Sequence, residues 1–163
     1  MTIKRTVNMT KQSDDVIVKT LSRLLIPFMQ IYALYVIAHG HYSPGGGFQG
    51  GVILGASLIL LAITYGLDNA LRMMSERLNT ILCSLGVFIY AGIGLLCIML
   101  GGNYLDYGAL DKILHVDIAH ARSLGILGIE TGVGIAVMAV MASIFLDIST
   151  GGLPSTKERD QSD

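Results

Sequence analysis

One carboxylate stands alone in a long apolar run: Glu130 is the only charged residue between Ser123 and Leu146. An ionised side chain deep in a lipid-crossing helix costs roughly 2.5–3.5 kcal/mol on insertion scales, so it faces protein or water and is by default a proton or cation site. The competing reading is structural: a paired carboxylate, or a carboxyl kept neutral by its surroundings. Two histidines, His39 and His41, flank an irregular stretch, His39-Gly40-His41-Tyr42-Ser43-Pro44-Gly45-Gly46-Gly47-Phe48-Gln49-Gly50-Gly51. Imidazole changes charge near neutral pH. With Glu130 on the same half of the membrane, the three would form a titratable cluster; otherwise the histidines simply tolerate an interfacial position. Glu130, His39 and His41 are the candidates for an ion path. Arg122, two helical turns before Glu130 on a similar face, is too far for a direct bond but close enough to sit near it. His115, Asp117 and His120 have the side-chain types of metal ligands, but their stretch supplies no further ligand and no metal is expected.

Other chemistries lack their residues. There is no Cys/His or Ser/His/Asp arrangement, no carboxylate pair and no cofactor fingerprint, so the chain is expected to be non-catalytic and to need no cofactor. The three glycines have no Lys or Arg beside them to neutralise an anion, which argues against a phosphate cradle. A net charge of −1 leaves no basic stripe for nucleic acid. Cys83 and Cys97 lie on one expected helix about 21 Å apart, too far to bond to each other, and read as small packing residues.

The elements that position these groups follow from composition. Of the 163 residues, 52% are hydrophobic and 14% charged, against roughly 25% charged in an ordinary soluble domain. No Lys, Arg, Asp or Glu occurs from Leu24 to Leu67 or from Leu78 to Leu105. About 20 apolar residues cross roughly 30 Å of hydrocarbon, so the sequence predicts an all-α, polytopic membrane protein with four transmembrane helices. The first runs from about residue 14, where Ser13-Asp14-Asp15 resembles a helix start, to Ala38, with Pro27 a possible kink. The others cover about Gln49–Leu67, Leu78–Leu100 and Ser123–Leu146. Gly101-Gly102-Asn103 is a plausible stop for the third, and Leu110, Ile113 and Leu114 suggest a short amphipathic surface helix before the fourth. Residues 1–13 read as a polar N-terminal arm, 14–148 as the membrane domain and 149–163 as a disordered polar tail. The first apolar run follows a polar arm and is too long for a cleavable signal.

Orientation follows from the Lys and Arg residues. Lys4, Arg5, Lys11, Lys19, Arg23, Arg72, Arg77, Lys157 and Arg159 fall on one side; only Lys112 and Arg122 fall on the other. The excess predicts that both termini are cytoplasmic. Small residues recur along the helices, among them Gly51, Gly55, Gly86, Gly128 and Gly132. In lipid they let helix backbones approach closely; Gly55, Gly128 and Gly132 are expected to pack helices, within the chain or against neighbouring subunits. Irregular backbone at membrane depth is tolerated only where protein or a wet cavity satisfies it. The Gly-rich break therefore docks on a partner or lines a hydrated path, unless it is an ordinary tight loop.

The twelve-residue string Gly40–Gly51 closely resembles the signature of the B subunit (MnhB/MrpB family) of the multisubunit Mrp-type sodium/proton antiporter. The four helices, the overall length and the glycines Gly125, Gly128, Gly132 and Gly134 around Glu130 extend the resemblance to about residues 20–148. The resemblance implies a multi-pass subunit of the prokaryotic inner (plasma) membrane, in a complex of hydrophobic subunits whose large members are similar to the proton-pumping subunits of respiratory complex I. Na+ and H+ would be the transported ions, the lipid bilayer the surroundings, and this chain a small companion needed for assembly and exchange. Ser43, Pro44, Gly45, Gly46, Gly47, Phe48, Gln49, Gly50 and Gly51 would form the structural break and subunit contact, and Glu130 the titratable group. The same module occurs in membrane-bound hydrogenase-type complexes, which is the alternative. A purely structural scaffold is another, and a stand-alone channel or transporter a fourth.

Overall fold

In the computed structural model every long element is a helix, and the apolar runs dictate where each lies. The structure describes residues 2–42, 45–67, 69–70 and 74–150, with side chains from Val16 onward. Helix α1 spans Thr2–His39, α2 Gly47–Tyr65 and α3 Glu76–Met99. A 3-10 turn at Tyr107–Leu110 and the one-turn α4, Asp111–Leu114, lead into α5, Ile118–Thr150. Four of these helices are long and apolar enough to cross a membrane: Val16–His39 of α1, α2, α3 and α5. No strand occurs among the described residues.

The helix ends carry local causes. Ser75 caps α3 by accepting from the Leu78 backbone N–H at 3.3 Å, with Glu76 in the first turn near the positive end of the dipole. At the other end the Gly101 N–H reaches the Ile98 carbonyl and the Gly102 N–H the Cys97 carbonyl, with Gly101 at φ 82, which is the stop the sequence suggests. Pro27 lies inside a continuous α1. That helix also continues back through Ser13-Asp14-Asp15 to Thr2 rather than beginning there.

Two boundaries differ in ways that matter. Helix α5 begins at Ile118, five residues before Ser123, because His120 and Arg122 do not interrupt the helical backbone. Glu130 therefore lies about 18 Å from the start of the helix by its 1.5 Å rise per residue, against the roughly 10 Å that a start at Ser123 implies, and close to the middle of the helix on either count. The expected amphipathic helix is reduced to the 3-10 turn and α4. Leu110 is buried against Cys97 and Ala121, while Ile113 and Leu114 stay exposed.

Packing follows the small residues. A side chain at Gly86 would collide with the Gly132 carbonyl, and one at Gly132 with the Gly86 carbonyl, so α3 and α5 pass with backbones in contact. Gly51 meets Gly134 in the same way and Gly55 rests on Met141, which joins α2 to α5. Gly50 fits against Ala33 and Ile37 of α1, and Gly128 against Ile93 of α3. Such close approach supplies the dispersion that holds helices together in lipid. Helix α5 thus lies between α2 and α3, while α1 packs mainly on α2 and has no substantial contact with α3. Two polar links cross the layer: Thr64 donates to Ser22 at 3.0 Å, joining α2 to α1, and the Asn79 amide donates to the Ala139 carbonyl at 2.9 Å and to Ser143.

Candidate functional site

The α1–α2 turn is built around a side chain from α5. Gly46 sits at φ 94, a left-handed conformation that glycine adopts at little cost, and a Cβ there would strike the Glu130 carboxylate. A Cβ at Gly40 would strike the same carboxylate from the α1 side. At Gly47 the obstacle would be the Glu130 main chain itself. Three glycines from the turn and its flanks thus leave a recess that the Glu130 side chain fills, and the missing side chains are what admit it.

Polar satisfaction in this recess is incomplete. Oε2 of Glu130 is buried and has no hydrogen-bond partner among the described residues, and the same holds for Nδ1 of His41. An unmade hydrogen bond on a buried polar group costs about 1–3 kcal/mol, so two in one place mark a position where a proton, a water or an ion would be stabilising. The His41 ring lies near enough for its charge to act on Glu130. It is half-buried and leans on Tyr42 with ring centroids 4.0 Å apart.

The structure brings Glu130, His41, Gly40, Gly46 and Gly47 together and distributes the other candidates around them. His39 is exposed and stacks on Tyr35 one turn earlier, at 4.2 Å between centroids. Gly45, at φ 142, lies against Gln49. Phe48 is 65% exposed and Tyr42 81%, so the turn presents two aromatic rings outward. Gln49 is exposed, whereas Gly50 and Gly51 are buried in the packing against α1 and α5. Ser43 and Pro44 lie outside the described residues. Arg122 is placed differently from the expectation: its guanidinium lies beside Gly108 in the α3–α5 connection.

Gly40 is the participant that sequence reasoning passed over as a site residue. In sequence a glycine just past a helix end reads as an ordinary stop, yet Gly40 is not among the glycines with positive φ. Only the fold, which carries α5 back to this turn, shows that its missing Cβ is space for a carboxylate.

Residues 17–143 match the family described as a domain related to the MnhB subunit of Na+/H+ antiporter. The chain belongs to this family. Among curated relatives, the Staphylococcus aureus (strain MRSA252) protein named "Putative antiporter subunit mnhB2" is 24% identical over 140 residues, covering 86% of this chain and 98% of the relative. The protein of the same name from strain Newman matches with the same identity and coverage. The MnhB match takes in the whole recess, from Gly40 to Glu130, and all four helices long enough to span.

Proposed function

We propose that this chain is the MnhB-type membrane subunit of a multisubunit Na+/H+ antiporter of the prokaryotic plasma membrane, and that Glu130 is the group in it that takes up and releases an ion. The family match supports the first part and the names of the relatives agree with it. The second part rests on one observation: a carboxylate near the centre of a spanning helix, with a buried oxygen that no described residue satisfies, in a recess made by three glycines. Among the described residues no ion-pair partner is bonded to that oxygen. A carboxylate with an open position can accept a proton or a Na+ ion, and one site that takes either ion but not both is the minimum that exchange requires.

Partner subunits supply the remainder. Phe48 and Tyr42 project from the turn, and on this reading they dock the recess against a larger, complex-I-like subunit that carries the main proton path. The excess of Lys and Arg on the side of the termini supports a cytoplasmic position for both termini, with the recess toward the opposite face.

The test is Na+/H+ exchange in membrane vesicles carrying the whole complex with Glu130→Gln in this subunit, with assembly followed on native gels. Exchange is expected to be lost while the complex stays intact, because Gln keeps the shape but cannot ionise. Normal exchange would leave the chain as a packing and assembly subunit.

A further inference from the structure

Two buried atoms of opposite chemical character lack a partner among the described residues, one on Glu130 and one on His41, the residue after Gly40, where a Cβ would strike that carboxylate. Glu130 Oε2 comes from α5 and His41 Nδ1 from the α1–α2 turn, nearly ninety residues earlier in sequence, and both are buried without a partner among the described residues. A carboxylate and an imidazole satisfy each other when one proton lies between them, since a ring N–H donates and a carboxylate oxygen accepts. The ring is half-buried while its Nδ1 is fully enclosed, so the imidazole reaches from the recess toward the surface of the turn. Gly40, the residue beside it, has no side chain to stand between them.

We infer that His41 is the relay through which Glu130 exchanges protons with water at the α1–α2 turn, an inference that rests on Glu130 being the ion-binding group. Nδ1 and Oε2 are not hydrogen-bonded to each other in the structure, so in the inward transfer a rotation of the ring or a single water closes the gap as the Nδ1–H bond of the imidazolium breaks and an O–H bond forms at Oε2. The ring becomes neutral, the carboxylate becomes a carboxylic acid, and water at the turn reprotonates the ring. The reverse steps release the proton. An imidazolium beside the carboxylate also repels a second cation, so Na+ is favoured at Glu130 only once His41 has lost its charge. That exclusion would couple the two ions.

The groups around His41 are few. From α1 there are His39, held on Tyr35, and Tyr35 itself; from the turn, Tyr42; from α5, Glu130. Helix α2 contains no Asp, Glu, His, Lys or Arg anywhere between Gly47 and Tyr65. His41 and Glu130 are thus the titratable groups that the variants must separate, with His39 as the control.

The experiment measures exchange by the complete complex in membrane vesicles from pH 6 to pH 9, comparing the unaltered protein with His41→Asn, His41→Gln, His39→Gln and Glu130→Gln. Asn and Gln keep a hydrogen-bonding atom near one or the other ring nitrogen but do not titrate. Both His41 variants are expected to assemble, to lose about tenfold in rate, and to lose the neutral-range limb of the pH profile. That loss is smaller than the 10²–10⁴-fold usual for a general acid or base, because water still reaches the turn slowly. Imidazole added to the medium should restore part of the rate, which a packing role would not allow. His39→Gln should leave the profile in place. A His41 variant with an unaltered rate and profile, beside an inactive Glu130→Gln, overturns the relay and leaves Glu130 standing; an active Glu130→Gln overturns both. Failure of both His41 variants to assemble would make the ring a packing group and likewise overturn the relay.

Discussion

Two connections lie at the same end of the helices, and both use glycine to make room for a side chain from elsewhere. At the α1–α2 turn, Gly40, Gly46 and Gly47 admit the Glu130 carboxylate. At the α3–α5 connection, Gly94 admits the ring of Tyr104 and Gly125 the ring of Tyr107. The contents differ. The second site is a clasp: Cys97, Leu110 and Ala121 form a buried cluster with Ile93, Leu100 and Tyr107 packed on it. Its polar groups are paired locally, with Asp106 accepting from the Gly108 N–H at 3.3 Å, Lys112 donating to the Leu100 carbonyl at 2.7 Å, and His115 in contact with the Ile113 carbonyl at 2.9 Å. The first site leaves an acid and a base unpaired. Glycine alone therefore says only that something must come close; a buried polar atom left without a partner, present at the first site and not found among the described residues of the second, separates a working site from a joint.

The largest effect expected is at Gly46. In Gly46→Ala the new methyl must share space with the Glu130 carboxylate at a left-handed φ of 94. Backbone strain of about 1–3 kcal/mol adds to overpacking of about 1–3 kcal/mol. Assembled complex on a native gel should fall several-fold, and adding Glu130→Ala should recover part of it by removing the clash while the strain remains. Wild-type assembly of the single variant would show that the turn is looser than described and would weaken the comparison.

Gly125→Ala tests the clasp and should cost about 1–3 kcal/mol by crowding Tyr107, read as a lowered unfolding midpoint of the purified complex. Exchange by whatever complex remains should keep its pH profile. Burial above all, with Tyr90, Cys97 and Tyr104 nearby, holds the Tyr107 hydroxyl above the ordinary phenol range. A group whose pKa is raised on folding loses its stabilising contribution only as pH rises past its unfolded value, about 10 for tyrosine. Tyr107 should thus add no pH dependence to the clasp across the neutral range, where the recess is expected to respond. A neutral-range shift of the profile in Gly125→Ala would mean that the two connections are coupled. The smallest effect expected is from Lys112→Ala: one exposed hydrogen bond, worth about 0.5–1.5 kcal/mol at most, should move the midpoint slightly and leave exchange unchanged.

The spans were legible because charge is excluded from them, and the C-terminal end of α3 was legible because Gly101-Gly102 carries its own geometry, whereas the sequence reading misses the Ser75 cap and sets the start at Leu78. Nor was the start of α5 legible. His120 and Arg122 look like loop residues, yet a helix emerging from a membrane tolerates them, and a start at Ser123 sets Glu130 seven residues from the beginning of the helix where the structure sets it twelve. Arg122 went astray for a related reason: helical periodicity puts it near the face of Glu130, but the 3-10 turn at Tyr107–Leu110 offers it Gly108 instead. Glu130 was identifiable as a lone carboxylate and the glycine run as an anomaly. That one fits into the other depends on α2 and α5 meeting at Gly51 and Gly134, a long-range contact with no local signal.

The order in which the helices touch has a consequence for permeability. With α5 between α2 and α3, and α1 against α2 but apart from α3, the chain is a sheet one helix thick rather than a closed bundle. A sheet of that kind has two faces and no lumen. Water that reaches Glu130 must then run along a seam whose second wall belongs to another polypeptide, and the subunit by itself should be leak-tight: the conduit comes into being only on assembly.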